Sequence, residues 1–123
     1  MSQTETANEA FADGTMFVDV LGDETKVRIL EVLISEADRD LNTAAICEQA
    51  GIGTSSFYNH IEDLRRWELV TKTRTVGNSP MYEINRENKA AQKLAEFDWA
   101  LVEFIGKKEE AGELDEDNRP VLA

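Results

Sequence analysis

The chain has almost none of the residues that build metal centres and disulfides. Among its 123 residues are one cysteine, Cys47, and one histidine, His60. A disulfide framework needs cysteine pairs, and a Cys/His metal cluster needs several such ligands, so neither can be assembled within one chain. We therefore expect no cofactor, and we expect Cys47 to be a small buried side chain rather than a redox switch.

Long apolar runs and catalytic groupings are also missing. No segment approaches the roughly 20 apolar residues of a transmembrane helix, and residues 2–5 lack the basic start of a signal peptide. The sequence therefore predicts a soluble, cytoplasmic protein without membrane contact. A nucleophile would have to use His60 as its base, while Cys47 lies on a different predicted helix, so an enzyme is not expected.

Basic residues are scarce, and they are unevenly distributed. The chain holds 25 acidic and 13 basic side chains, a net charge of −12. Residues 1–53 carry a net −8 and residues 94–123 a net −6, whereas residues 54–93 carry a net +2. Unless this segregation is accidental, the middle segment is the one suited to a polyanion. The acidic remainder is typical of proteins from a salt-saturated cytoplasm, which suggests a halophilic archaeal origin.

The spacing of apolar residues in residues 41–86 changes from a helical pattern to an alternating one. A short helix is followed by a glycine turn at residues 51–53, by a second helix that opens at Thr54, and by two alternating segments joined through residues 76–80. This is the layout of a winged helix-turn-helix, in which the second helix enters the major groove of DNA and the hairpin contacts the flanking backbone. The predicted fold class is mainly α with a small β-hairpin wing (α+β).

The predicted second helix has two different faces. Phe57, Ile61 and Leu64 are spaced by four and three residues and form one apolar face. The opposite face begins with small, uncharged, polar side chains that suit approach to base edges. Within it, Asn59 can pair with adenine through two hydrogen bonds, although it is also compatible with an inert surface position.

The charged residues around this face leave alternatives open. Lys72 and Arg74 fall on one face of the predicted hairpin and are expected to contact phosphates. Arg66 can contact a phosphate or pair with a carboxylate of its own helix. His60, at the margin of the packed face, is expected to be a surface or phosphate-contacting side chain rather than a proton switch.

Both ends of the chain carry apolar helical patterns. A final helix is predicted from residue 87 to about residue 105, and an irregular helix is predicted over residues 8–21 with a break at Gly14. An apolar surface of this size ordinarily means a partner, so we expect a homodimer, the alternative being that both helices fold back on their own domain. The expected interface residues are Phe11, Phe17, Leu94, Phe97, Leu101, Phe104 and Ile105.

The domain organisation follows from these patterns. We expect a flexible N-terminus over residues 1–8, one winged helix-turn-helix domain with terminal dimerisation helices over residues 9–106, and an acidic, disordered tail over residues 107–123. Asp23 is expected to cap a helix that runs to about residue 35.

Two segments resemble a known family. LGDETKVRILEVL (residues 21–33) resembles the core helix of ArsR-like winged-helix transcriptional regulators, and GIGTSSFYNHIEDLRRWELV (residues 51–70) is similar to their turn, recognition helix and wing entry. The resemblance implies a dimeric repressor that binds double-stranded DNA at an inverted repeat, with recognition helices about 34 Å apart. The resemblance places nine residues at the DNA, and the exposed face of the helix adds Tyr58 and Arg66. The expected DNA-binding residues are therefore Thr54, Ser55, Ser56, Tyr58, Asn59, His60, Arg66, Lys72, Arg74, Asn78 and Ser79.

The sequence departs from that family at two places. Metal-sensing members use clusters of Cys, His or carboxylates, which this chain does not offer, so metal sensing is not expected and any small-molecule effector is unknown. Glu68 stands where such proteins usually have a glycine, and a left-handed backbone there would cost on the order of 1 kcal/mol. The alternative function is a winged-helix protein-interaction module in a larger assembly, without specific DNA binding.

The segment TSSFYNHI also resembles the recognition helix of TetR-type repressors. Those proteins continue into a large all-helical ligand domain. Here a predicted hairpin follows, and only about 60 residues remain after His60. The architecture therefore excludes the TetR interpretation.

Overall fold

The computed structural model of the chain describes residues 10–122. The elements are α1 (Met16–Leu21), α2 (Glu24–Ser35), β1 (Leu41–Asn42), α3 (Thr43–Ala50), α4 (Thr54–Arg66), β2 (Val70–Val76), β3 (Ser79–Ile84) and α5 (Lys89–Glu110). They divide into two compact units, with the boundary between Asn85 and Arg86. The predicted α+β class with a small hairpin is confirmed.

The core of the first unit lies between α2, α3, α4 and the sheet. The apolar face predicted for α4 is confirmed, because Phe57, Ile61 and Leu64 have no solvent exposure. Tyr82 of β3 packs edge-on against Phe57, with 5.4 Å between the ring centroids. Burying a large apolar side chain stabilises a fold by about 1.5–3 kcal/mol, so this face fixes which side of α4 remains outward.

The two helices of the helix-turn-helix, α3 and α4, are each preceded by a cap residue with an extended backbone. Asn42 caps α3, because its side-chain oxygen accepts from the amide of Ala45 at 2.8 Å. Thr54 is the first helical residue of α4, and Gly53 holds the extended backbone of the cap. A cap residue needs an extended backbone, and Asn42 has it as the last residue of β1. Gly51 ends α3 in the left-handed conformation, as predicted, with φ 69°.

The sheet has the order β1-β3-β2 and is antiparallel throughout. In β2, Lys72 lies opposite Tyr82 and Arg74 lies opposite Met81, so Thr73 is an extra residue that forms a bulge. Neighbouring residues of β3 point to opposite faces. Lys72 and Arg74 therefore lie on opposite faces of the sheet, and the prediction that they share one face was wrong.

The hairpin turn is shorter than predicted. Val76 pairs with Ser79, which leaves only Gly77 and Asn78 as a two-residue turn. Gly77 has φ 62°, and a positive φ at the first turn position suits the twist of the strands. Ser79 and Pro80 belong to β3.

The connection from α4 to β2 turns at Glu68. Its φ is 59°, a left-handed backbone that glycine adopts without strain and other residues do not. The strain, on the order of 1 kcal/mol, is opposed by local hydrogen bonds. Asn85 donates from its side chain to the Glu68 carbonyl at 2.9 Å and from its amide to the Leu69 carbonyl at 2.8 Å.

The N-terminal helix is shorter than predicted. Residues 11–14 form a turn, and Gly14 has φ 77°, a conformation that excludes a continuous helix. α1 starts after Thr15, whose hydroxyl accepts from the amide of Val18 at 3.4 Å, and it ends at Gly22. The predicted flexible segment, residues 1–8, lies outside the described residues.

In the second unit, α5 begins at Asn88, whose side chain accepts from the amide of Ala90 at 2.8 Å. The helix passes through Gly106 and ends at Glu110, so the end predicted at residue 105 was wrong. A glycine inside a helix costs about 1 kcal/mol relative to alanine, which does not end a long helix.

The segment predicted to be a disordered tail is ordered in part. Its first residues belong to α5, and beyond the helix Leu114 pairs with Pro120. The turn between them is held by the carboxylate of Asp115, which accepts from the amides of Asp117 and Arg119 at 2.9 and 3.0 Å. Local side-chain hydrogen bonds of this kind are not visible in the hydropathy pattern.

Candidate nucleic-acid interface

The outer face of α4 is the solvent-exposed side of the helix, opposite its buried apolar side chains. Its exposed side chains are Thr54, Ser55, Tyr58, Asn59, Glu62 and Arg66, while Ser56 is half-buried. The first four are uncharged, and charge appears only in the second half of the helix. Because hydroxyl and amide groups both donate and accept hydrogen bonds, the N-terminal half can match the edges of bases.

His60 turns inward from this face. Its Nδ1 lies 2.7 Å from the Ser56 carbonyl and its Nε2 lies 3.2 Å from a carboxylate oxygen of Asp23. Both neighbouring groups are hydrogen-bond acceptors, and each ring nitrogen faces one of them. His60 thus joins α4 to the start of α2, and the structure does not bring it to the outer face with the other predicted DNA-binding residues.

Asp23 serves two helices at once. Its carboxylate accepts from the amide of Thr25 at 2.8 Å and from that of Lys26 at 3.4 Å, which is the predicted cap of α2. Burial works to raise the pKa of Asp23, but these two hydrogen bonds and the charge of His60 hold it below its ordinary value. A charged Asp23 is therefore part of the folded arrangement.

A second contact fastens the C-terminal half of α4. Lys26, only 8% exposed, pairs its ammonium with the carboxylate of Asp63 and also donates to the Asp19 carbonyl at 3.0 Å. The indole N–H of Trp67, at the end of α4, donates to the Asp19 carboxylate at 3.0 Å. Lys26 and Asp19, which hold α4 from α2 and α1, were not singled out from the sequence.

On the wing, Arg74 is engaged with Asp40. Its Nε and Nη2 donate to the two carboxylate oxygens at 2.9 and 3.2 Å, and the hydroxyl of Thr73 donates to the same carboxylate. The hydrogen bonds from Arg74 and Thr73 lower the pKa of Asp40 to about 2. Nothing in the sequence connects Asp40 with a position 34 residues away.

The other cations near α4 differ in how free they are. Arg65 forms two hydrogen bonds of 2.9 Å with Glu62, and Arg66 lies 3.8 Å from Asp63. Lys72 is exposed and has no ion-pair partner among residues 10–122. It lines an open groove of about 300 Å³ together with Arg65, Glu68, Val70, Thr71 and Asn85. Lys72 is thus the cation of this surface that is ready for a phosphate.

The remaining predicted site residues lie in both units, and most of them are exposed. Asn78 and Ser79 stand at the tip of the hairpin. Of the residues expected at a dimer interface, Leu94 and Ile105 are half-buried. The others are exposed apolar side chains, namely Phe11 (96%), Phe17 (75%), Phe97 (60%), Leu101 (50%) and Phe104 (50%).

Within residues 10–122, no helix is long and apolar enough to cross a membrane. In the same range, no three His, Cys, Asp or Glu side chains are grouped so that they could hold a metal ion.

No protein-family model matches the sequence, and no curated protein sequence matches it. Solved structures do. The AntR antimony-specific transcriptional repressor is similar with a TM-score of 0.59 and 16% identity, over 85% of this chain and 99% of that one.

Two further solved structures share the architecture. The transcriptional regulator HlyU from Vibrio vulnificus CMCP6 gives a TM-score of 0.54 at 21% identity, over 69% of this chain and 82% of its own. The ZitR protein of Lactococcus lactis, solved as a mutant in its apo form, gives 0.53 at 14% identity, over 82% of this chain and 77% of its own. At these identities the likeness establishes a shared fold, that of winged-helix proteins.

Proposed function

We propose that the chain is a sequence-specific DNA-binding transcription regulator of the ArsR-like type, with α4 as its recognition helix. The observation that carries the proposal is the outer face of α4, where Thr54, Ser55 and Asn59 are exposed, small or polar, and uncharged. Two of the similar solved structures are named as transcription regulators, which supports the same role here. No catalytic step belongs to this function.

Base readout would carry more of the affinity than charge. Arg65 and Arg74 are each paired with a carboxylate through two hydrogen bonds, and a cation that is already paired releases few counterions from phosphates. Asn59 would pair with adenine, Lys72 would contact a phosphate, and the wing tip would lie along the backbone. The acidic remainder of the chain is suited to work at high salt, where repulsion from DNA is screened.

Repression would require two copies of α4. Phe97, Leu101 and Phe104 of α5 are at least half exposed, and so are Phe11 and Phe17 before and within α1. Apolar side chains of this size are stabilised when a second copy covers them. We propose a homodimer formed by these surfaces that occupies an inverted repeat and blocks a promoter.

A protein-interaction module is the second candidate function. It is favoured by the net charge of −12 and by the ion pairs Arg65–Glu62, Arg66–Asp63 and Arg74–Asp40, which neutralise most of the positive charge beside α4. A module of this kind would dock a protein on the face that otherwise reads DNA.

The experiment that separates the two candidates is a titration of genomic DNA fragments with the full chain in molar potassium chloride. A regulator selects a subset of fragments. Asn59→Ala is then expected to relax the sequence preference, whereas Lys72→Ala weakens binding to all fragments and lowers the salt slope by about one unit.

Lys93→Ala is the matched control, since it removes the same charge from an exposed pair in α5. It is expected to leave both readouts unchanged. Binding that shows no preferred fragment, while the oligomeric state is intact, contradicts the regulator and favours the protein-interaction module.

A further inference from the structure

Arg74 is held from one side only. Its Nε and Nη2 groups donate to Asp40, which uses two of the five N–H groups of a guanidinium. The other three, two on Nη1 and one on Nη2, meet no acceptor within the described part of the chain. The Arg74 side chain is 63% exposed and that of Asp40 only 13%, so the carboxylate lies beneath and the free edge of the guanidinium faces solvent.

The bulge in β2 creates this arrangement. Because Thr73 is the extra residue, Arg74 lies opposite Met81 and on the face away from Lys72 and Tyr82. Thr73 also donates its hydroxyl to Asp40. Two consecutive residues of the bulge thus converge on one carboxylate, which is charged at any ordinary pH because the pKa of Asp40 is about 2.

The supported guanidinium is also connected to the recognition helix. Asp40 immediately precedes β1, which leads directly into α3. The hydroxyl of Thr43, the first residue of α3, lies 3.5 Å from the hydroxyl of Tyr58 on the outer margin of α4. One short stretch of chain therefore links the wing cation to the face proposed to read DNA.

We propose that Asp40 is a positioning residue that makes Arg74 a directional contact to DNA instead of a mobile positive charge. The inference rests on the proposed DNA-binding function. The free edge of Arg74 presents two parallel N–H groups, which match two adjacent acceptors. In DNA such a pair is offered by the O6 and N7 atoms of guanine or by two oxygens of one phosphate.

Pairing with Asp40 neutralises the charge of Arg74 and fixes the orientation of its guanidinium. The Arg74–Asp40 pair is neutral, so it contributes little to the counterion release that makes binding depend on salt. A fixed guanidinium loses little side-chain freedom when it binds, since its orientation already exists in the free protein. Removing the carboxylate reverses both effects.

The test is Asp40→Asn in the full chain, measured as affinity for the preferred fragment against potassium chloride concentration. We expect the salt slope to become steeper by about one unit, because Arg74 then acts as a free cation. The Arg74→Ala/Asp40→Asn double variant is expected to lose this change. A change in slope that persists without Arg74 overturns the proposal, since it then reflects only the lost negative charge.

Asp38→Asn is the matched control, because Asp38 is an exposed carboxylate two residues away. It is expected to alter the slope by the same small amount with and without Arg74. If Asp40→Asn behaves like Asp38→Asn while the wild-type chain selects a fragment, the inference fails and the proposed function stands. If the wild-type chain selects none, the proposed function itself fails.

A second arm identifies the acceptor. Arg74→Ala is expected to weaken binding to the preferred fragment by about tenfold. Base substitutions are then made throughout the fragment. Should the loss depend on one guanine, the acceptor is a base edge; should it be equal for all sequences, it is a phosphate. Arg74→Lys keeps the charge but offers no pair of parallel N–H groups, so it is expected to keep the wild-type salt slope and to lose affinity as Arg74→Ala does.

Discussion

Lys26 of α2 and Asp63 of α4 form an ion pair in which the lysine is almost completely withdrawn from solvent. The same ammonium group also donates to the carbonyl of Asp19 at 3.0 Å. A buried charge is tolerated only when partners replace its water. The orientation of the outer face of α4 is therefore linked to a polar contact, in addition to the apolar core.

Breaking this pair is expected to destabilise the fold. Lys26→Met keeps most of the side-chain volume but leaves the Asp63 carboxylate without its partner, and we expect the free energy of unfolding to fall by about 2 kcal/mol. Urea denaturation measures this. Lys93→Met, which breaks the exposed pair with Glu96, should cost less than about 1 kcal/mol. Equal losses of unfolding free energy for the two substitutions would mean that the Lys26–Asp63 pair stabilises the fold no more than an exposed pair does.

Acid should weaken the wing in a specific range of pH. Since the folded state lowers the pKa of Asp40 from 3.8 to about 2, the charged carboxylate stabilises the fold above about pH 4. That contribution is lost as the pH falls toward 2. The difference in urea midpoint between the wild-type chain and Asp40→Asn is expected to be constant above that range and to shrink within it.

Repeating the comparison in an Arg74→Ala background supplies the control. The main donor to Asp40 is then missing, so the pH dependence of the difference should be weaker. A difference that shrinks equally with and without Arg74 would show that the Arg74–Asp40 pair is not its cause.

Gly22 is expected to tolerate no side chain. A Cβ atom at this position would lie 2.3 Å from the backbone oxygen of Val18, and backbone atoms cannot move aside as a flexible side chain can. We expect Gly22→Ala to lower the free energy of unfolding by about 2 kcal/mol, measured by urea or heat. Gly106→Ala is the contrasting variant, since nothing lies within 4 Å of its Cβ position and alanine favours the helix; it should raise the stability of α5 by about 1 kcal/mol.

Charged substitutions on α5 are expected to convert the proposed dimer into a monomer. Phe97→Glu and Leu101→Glu place charges on the exposed apolar face of α5, so sedimentation should report a monomer where the wild-type chain is a dimer. Lys93→Glu is a control, because it adds a carboxylate to α5 at a position that is already polar. Dissociation by the control as well would point to general charge repulsion, and a wild-type monomer would contradict the dimer outright.

Periodicity along the chain was enough to predict the two faces of α4. The four–three spacing of Phe57, Ile61 and Leu64 is a property of the helix itself, and all three are buried. The resemblance to ArsR-like regulators, which usually have a glycine at this position, likewise drew attention to Glu68, whose backbone is left-handed. Such features depend on neighbours in the sequence.

Features that depend on distant pairing could not be predicted. The alternation from Thr71 to Thr75 reads the same with or without a bulge, because the register is set by β3 and not by β2 itself. Likewise, the inward turn of His60 is decided by Asp23, 37 positions away. The positions assigned to Arg74 and His60 therefore changed, whereas those on the first turns of α4 did not.

Asp19 connects α1 to two other helices. Its carbonyl accepts from Lys26 and its carboxylate from Trp67, so one residue of α1 contacts both α2 and the C-terminal end of α4. Phe17, two positions earlier, is 75% exposed. A shift of α1 relative to α4 would therefore break the hydrogen bond between Asp19 and Trp67, and the exposed ring of Phe17 belongs to that same short helix.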